Sequence, residues 1–293
     1  DSMENNNTGA SYALSVGAYT GQQYQFAQTA GQAGSIVSGG SAWTQQTAAA
    51  GWSARELPAY CVFNNRIWIM AGFNGTSYLN DVWSSTDGIT WTQATAAAAW
   101  SVRSGAAACS YDGRMWIMGG LSSDSATRLR DVWNTTDGIT WTQVDAAADW
   151  LARRLHQIIV FNNRMWVMGG DGNTAQGGFT EYNDVWWSTD GTTWTSATLA
   201  AAWSRRIAFC AVSYAGRMWV YAGAITGAGT DNNEVYYSTD GATWTQATAG
   251  AAWSARYQST GLSYGGRLWI LGGTGDDTNS LNEAYYSTDG ITW

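Results

Sequence analysis

The chain contains no lysine. All 14 of its basic residues are arginine, set against 22 acids for a formal net charge of −8. That balance excludes a nucleic-acid partner held by phosphate neutralisation, because such affinity comes mainly from Lys and Arg displacing counterions. Proline and histidine occur once each and cysteine three times. An odd number of cysteines cannot all pair within one chain, and no C-x-x-C spacing is present. No apolar run approaches the roughly 18 residues needed for a membrane-spanning helix.

What is present is aromatic and small. Of 293 residues, 20 are Trp and 35 are Gly; 45% are hydrophobic and only 12% charged. Such a composition buries a large core and is the opposite of a disordered chain.

The tryptophans are periodic. Trp52, Trp100, Trp150, Trp203 and Trp253 recur at intervals of 48, 50, 53 and 50 residues. Three positions after each stands an arginine: Arg55, Arg103, Arg153, Arg206 and Arg256. Arginine recurs at plus fourteen (Arg66, Arg114, Arg164, Arg217, Arg267) and Trp at plus sixteen (Trp68, Trp116, Trp166, Trp219, Trp269). A small pair follows, such as Gly119-Gly120, and then a segment of the form DVWSSTDGITWTQ (Asp81–Gln93).

Each unit reads as four short strands. SGAAACSY is small and apolar, suited to a crowded inner position. RMWIMGG is a buried run, RDVWNTT alternates, and ITWTQ is aromatic and Thr-rich. Asn-Asn, Asp-Gly, Ala-Gly or Gly-Gly separates the first two strands, which is the chemistry of a tight hairpin with positive φ. Thr-Asp-Gly separates the last two, where Gly accepts positive φ and Asp bonds its own backbone. Four strands at a period near 50 predict a β-propeller blade. The TDG segment is therefore expected to hold shape rather than to do chemistry.

This pattern of Arg, small-residue strand, diglycine, ND-V-W and closing Trp resembles the kelch repeat, in five clear copies over residues 52–293. The TDG segment also resembles the Asp-box of sialidase-type propellers, with one residue fewer between Asp and Gly. In those families the Asp-box is a structural turn, so the resemblance implies no activity for it. With a single histidine, the multi-His copper centre of galactose oxidase-like kelch enzymes cannot be built.

Residues 11–46 read as a degenerate copy. Tyr19, Gly21, Tyr24 and Phe26 match the spacing of Tyr111, Gly113, Trp116 and Met118, and Trp43-Thr44-Gln45 matches Trp91-Thr92-Gln93. The expected architecture is a six-bladed all-β propeller over residues 11–293 of four-stranded antiparallel blades, with residues 1–10 as a tail or linker. Five blades plus an N-terminal arm is the alternative. A chain that continues past Trp293 is a further possibility.

Variable loops between the second and third strands open on one face, the usual placing of recognition on a rigid scaffold. The ligand-binding candidates there are Arg55, Arg103, Arg153, Arg206 and Arg256, a ring of guanidiniums that can fork onto a carboxylate, sulfate or phosphate. Each repeat also carries an acid on its third strand (Asp81, Asp131, Asp184, Glu234, Glu283), so internal ion pairing is the competing and favoured expectation. Departures from the repeat add Asp145, Asp149, Arg154, His156, Asp171 and Glu181. His156 stands where kelch repeats often carry a structural His. Nineteen of the 20 tryptophans fall on repeat positions and read as core; Trp187 is the exception, and beside Trp186 it is expected to alternate with it, leaving one of the two exposed to stack on a sugar. Cys61, Cys109 and Cys210 read as small core residues. No metal site or cofactor is expected; calcium at Asp171, Asp276 or Asp277 lacks any supporting motif.

These observations predict a non-catalytic propeller that binds a glycan or protein partner through its loops. The lysine-free, Thr/Asn/Gly-rich composition and the start DSMENNN, without an initiator Met, lead us to expect an extracellular or cell-surface location. One alternative is a self-assembling fibre or surface-layer subunit. Another is an enzyme on acidic sugars, by resemblance to kelch-type sialic-acid epimerases or Asp-box sialidases; its Tyr–Glu nucleophile pair is not assignable.

Overall fold

The computed structural model describes residues 44–173, 178–225, 227–275 and 280–293, and every regular element in them is a β-strand. Blade 1 is Ala59–Phe63, Arg66–Met70, Val82–Ser85 and Thr92–Thr95, antiparallel in chain order. Blade 2 is Ala107–Tyr111, Arg114–Ser122, Arg128–Thr135 and Thr142–Asp145. Blade 3 is Gln157–Phe161, Arg164–Met168, Val185–Ser188 and Thr195–Thr198. Blade 4 is Cys210–Tyr214, Arg217–Tyr221, Val235–Ser238 and Thr245–Thr248. Blade 5 shows three strands, Thr260–Tyr264, Arg267–Leu271 and Ala284–Ser287. The described residues thus build five propeller blades, the alternative count rather than six. The degenerate blade assigned to residues 11–46 lies outside the described residues up to position 43, and 44–46 carry no strand.

The turn chemistry explains why each sheet forms. Asn64-Asn65, Asp112-Gly113, Asn162-Asn163, Ala215-Gly216 and Gly265-Gly266 all take positive φ at both positions, the backbone of a two-residue hairpin whose twist suits its strands. At the other hairpin Ser85 Oγ donates to Asp87 Oδ1, and the same carboxylate oxygen accepts from Ile89 N and Thr90 N at 2.8 Å. The pattern recurs at Asp137, Asp190, Asp240 and Asp289.

The core sits in the seams between blades. Blades 1 and 2 share Trp68, Met70, Trp100, Ile117 and Trp141, and the next three seams repeat the arrangement. The Asp-Gly turn of one blade presses on the second-strand Trp of the blade before it: a Cβ on Gly138 would overlap the Trp68 ring, and Gly191, Gly241 and Gly290 stand likewise on Trp116, Trp166 and Trp219. The plus-zero Trp meets the closing Trp of its own unit edge to face, as in Trp100–Trp141 at 5.8 Å and 88°. The TDG segment therefore locks blade to blade. Cys61, Cys109 and Cys210 are free and buried on three different first strands. Burial pushes the Cys61 and Cys210 thiols upward.

Candidate binding site

The five plus-three arginines enter their blades from the variable-loop face, and their side chains are all 0% exposed. Arg55 pairs with Asp81 at 2.6 Å, Arg103 with Asp131 at 2.7 Å, Arg153 with Asp184 at 2.7 Å, Arg206 with Glu234 at 3.0 Å and Arg256 with Glu283 at 2.7 Å. Nη1 of each also donates to the carbonyl of its small pair: Ala71, Gly119, Gly169, Ala222 and Gly272. Each guanidinium thus ties the start of a blade to the ends of its second and third strands. Burial pushes the Asp81 carboxyl up, yet hydrogen bonds from Arg55 and Trp83 outweigh it and hold it below its ordinary value.

The two acid types differ. Aspartates fork onto the guanidinium through both oxygens, as Asp184 does onto Arg153 at 2.7 Å each. The longer glutamates show single contacts and greater exposure, 28% at Glu234 and 45% at Glu283.

His156 is sealed. Its side chain is buried, neither ring nitrogen has a hydrogen-bond partner, and burial together with the Arg153 charge lowers its pKa to about 3. Its ring lies 6.0 Å from Trp150, as Phe209 lies 5.8 Å from Trp203 one blade on. A Cβ on Gly119 would stand 2.8 Å from His156, matching the approach of Gly169 to Phe209. His156 fills the place of an aromatic, neutral and out of contact with solvent.

Asp171, Arg154 and Arg128 do come together. Asp171 Oδ2 accepts from Arg128 Nη2 at 2.7 Å and Oδ1 from Arg154 Nε at 3.0 Å, so one carboxylate stitches the loop of blade 2 to that of blade 3. Asp171 also pairs across a short hairpin (Asp171–Asn173 with Phe179–Glu181) with Glu181. Asp145 accepts from Ala147 N at 2.8 Å, and Asp149 is exposed. Among the described residues no three His, Cys, Asp or Glu converge as a metal site; Asp276 and Asp277 lie outside those residues.

Trp187 corrects its reading as an off-repeat residue. It holds the third-strand position that is Ser84, Asn134, Tyr237 and Tyr286 in the other blades. Both it and Trp186 are half-buried. The Arg164 guanidinium lies 3.7 Å over the Trp187 ring, as Arg217 lies 4.2 Å over Tyr237 and Arg267 lies 4.1 Å over Tyr286.

Sequence reading missed a cavity of about 340 Å³ on blade 3, lined by Leu151, Thr180, Tyr182, Asn183, Asp184, Leu199 and Arg205. Three of these break the repeat. At Leu151 the other blades carry Ser53, Ser101, Ser204 and Ser254, at Leu199 they carry Ala96, Ala146 and Ala249, and at Arg205 they carry Ala54, Val102, Ala152 and Ala255. Leu151 is 56% and Leu199 70% exposed. Aligning the units residue by residue through the alanine-rich connectors exposes all three departures. Arg128 was legible only as the first basic residue of a variable loop.

A kelch motif is matched over residues 54–84. No curated protein sequence matches the chain. Among solved structures it is similar to that of YjhT, at 11% identity and a TM-score of 0.65, over 78% of this chain and 80% of that one. Together with the blades, hairpins and Arg–acid ties described above, these findings define the class: an antiparallel all-β propeller that carries a kelch motif in its first blade.

Proposed function

We propose that this propeller is a non-catalytic binding module, secreted or displayed at a cell surface, that engages a partner through the loops of one face. One observation carries the reading. The repeated charges are consumed in holding the blades, so what varies on the frame is the loop face, and there the two connectors that flank blade 3 carry exposed Leu, Leu and Arg where other connectors carry small residues. Kelch propellers serve generally as platforms for protein interaction, which supports a protein partner over a glycan. The apolar character of the departures points the same way, since an exposed leucine pair on an otherwise small and polar connector suits an apolar side chain better than a sugar edge.

The test compares the two faces. Partners captured from extracellular fractions are identified, and a glycan array is probed in parallel. Binding is then measured for loop-face variants (Leu151→Ser, Phe179→Ser, Leu199→Ala) and for variants in the exposed turns at the other end of the blades (Ile89→Ser, Ile139→Ser). Loss confined to the loop-face variants sustains the reading. Loss confined to the turns refutes it, and selective array binding replaces the protein partner with a glycan.

A further inference from the structure

We infer that the blade-3 cavity is a docking pocket for one large apolar side chain of a protein partner, with a carboxylate on an adjacent residue of that partner held by Arg205. This rests on the binding role proposed above and names the partner chemistry for it.

About 340 Å³ is at the lower end of ligand pockets and holds a single Leu, Ile or Phe with some neighbouring backbone. Its apolar walls are Leu151 and Leu199, contributed by the two connectors that enter and leave blade 3. Thr180 and Tyr182 come from the hairpin of the same blade and close a third side. A buried apolar anchor in a pocket of this kind is the usual energetic centre of a protein interface.

Charge then selects the flank. Arg205 is exposed and makes no hydrogen bond or ion pair among the described residues. Its neighbour Arg206 is buried on Glu234. The carboxylate that lines the same cavity, Asp184, is already forked onto Arg153 and bonded by Trp186 Nε1 at 2.8 Å. Arg205 is therefore a cation free to form a bidentate pair with an incoming carboxylate, on a chain whose net charge of −8 otherwise repels acids.

Local stability does not explain the departures. In the other four blades the Ser at the position of Leu151 has its Oγ beside the buried arginine, and accepts from Nη2 at 3.2, 3.2, 2.8 and 3.0 Å. Leu151 gives up that hydrogen bond to Arg153 and exposes apolar surface instead. Leu199 and Arg205 likewise project into solvent where Ala or Val serves elsewhere.

The experiment uses the intact protein with ¹³C-methyl-labelled, assigned leucines and synthetic hexapeptides. Position three is Leu, Phe or Ser, and position four is Glu, Gln or Lys. Leu-Glu and Phe-Glu peptides are expected to shift the Leu151 and Leu199 methyls and to bind at least tenfold tighter than Ser-Glu or Leu-Lys peptides. Leu199→Ala should weaken all apolar peptides about tenfold, while Arg205→Ala should remove the preference for Glu over Lys and leave the Leu-over-Ser preference. Both variants carry the residue that other blades use at that position, so folding is preserved. Equal binding of Glu and Lys peptides overturns the role of Arg205. No shift at either leucine with any peptide, while the captured partner still binds and is lost on Phe179→Ser, overturns this pocket but not the binding role. Absence of both partner and peptide binding overturns the two together. Shifts of the same methyls on raising protein concentration alone would assign the pocket to a second copy of this chain and overturn the proposal.

Discussion

Among the described residues one interaction occurs five times, with acids of graded burial, which allows its energy to be read against an internal control. Asp184 is 9% exposed, accepts through both oxygens from Arg153 and takes a third bond from Trp186. Glu283 is 45% exposed and meets Arg256 through one oxygen at 2.7 Å. Asp184→Asn keeps the shape, removes the charge and turns one acceptor into a donor facing a donor. It leaves a fully buried guanidinium uncompensated, which costs about 3–5 kcal/mol. Glu283→Gln leaves a guanidinium that is just as buried, but its acid is 45% exposed and water screens that end of the single contact, so the cost is smaller, about 1–2 kcal/mol. At about 2–3 °C per kcal/mol for a chain of this size, the melting temperature should fall by roughly 6–15 °C for the first and about 2–6 °C for the second. Thermal unfolding by circular dichroism reads both, with hydrogen exchange at the Gly169 and Gly170 amides to localise the damage. Equal shifts for the two variants would refute the claim that burial and forked geometry set the strength of these ties.

The remaining predictions concern single residues. His156 has its folded pKa lowered to about 3 while the unfolded side chain takes its proton near pH 6.5, so the unfolded state binds more protons in between and stability falls as pH drops through that window. Between pH 7 and pH 5 the loss should be about 2 kcal/mol in urea titrations, and His156→Phe, which copies Phe209, should abolish it. Gly138→Ala places a methyl in the Trp68 ring at a backbone φ of +77° and should destabilise by about 3 kcal/mol or more, measured as a urea midpoint; Gly88→Ala, where a Cβ meets nothing within 4 Å, bears only the backbone strain of φ +72° and should cost about 1 kcal/mol. Iodoacetamide should leave Cys61, Cys109 and Cys210 unlabelled in the native protein and label three thiols in guanidinium, as mass spectrometry would show.

The frame was legible because it is periodic. Hairpin dipeptides, the arginine at plus three and the acid on the third strand each recur in register, and the structure places each where its spacing implied. The fate of the arginines followed from counting: five cations matched one to one by five acids, 26 to 31 residues further on, point to pairing before any contact is seen. Trp187 was misread because alignment by residue type puts a Trp beside Ser, Asn and Tyr, and only strand register shows that these share one seat beside the plus-fourteen arginine. The blade-3 cavity was not legible because its walls come from two connectors nearly 50 residues apart and a hairpin between them. Alignment of the units shows Leu151, Leu199 and Arg205 as separate departures, and only folding brings them to one place.

The arrangement separates holding from recognising. A buried ion pair is weak evidence for stability when it replaces apolar packing, but here it also joins the entry of a blade to its second and third strands at one guanidinium. Repeating that knot fixes the loop bases in equivalent places on each blade, so a single substitution in a connector changes the surface without moving the frame. Leu151 tests this logic most directly. Restoring Ser there should return the missing bond to Arg153, leave the blade geometry unchanged and remove one wall of the cavity. The hydrogen bond to a charged group contributes about 1–2 kcal/mol, offset only in part by the apolar area that the largely exposed Leu151 covers. Leu151→Ser should therefore melt within about 3 °C of the parent while partner affinity falls. A large loss of stability would mean that Leu151 belongs to the frame, and that the departures of blade 3 serve its packing instead of a partner.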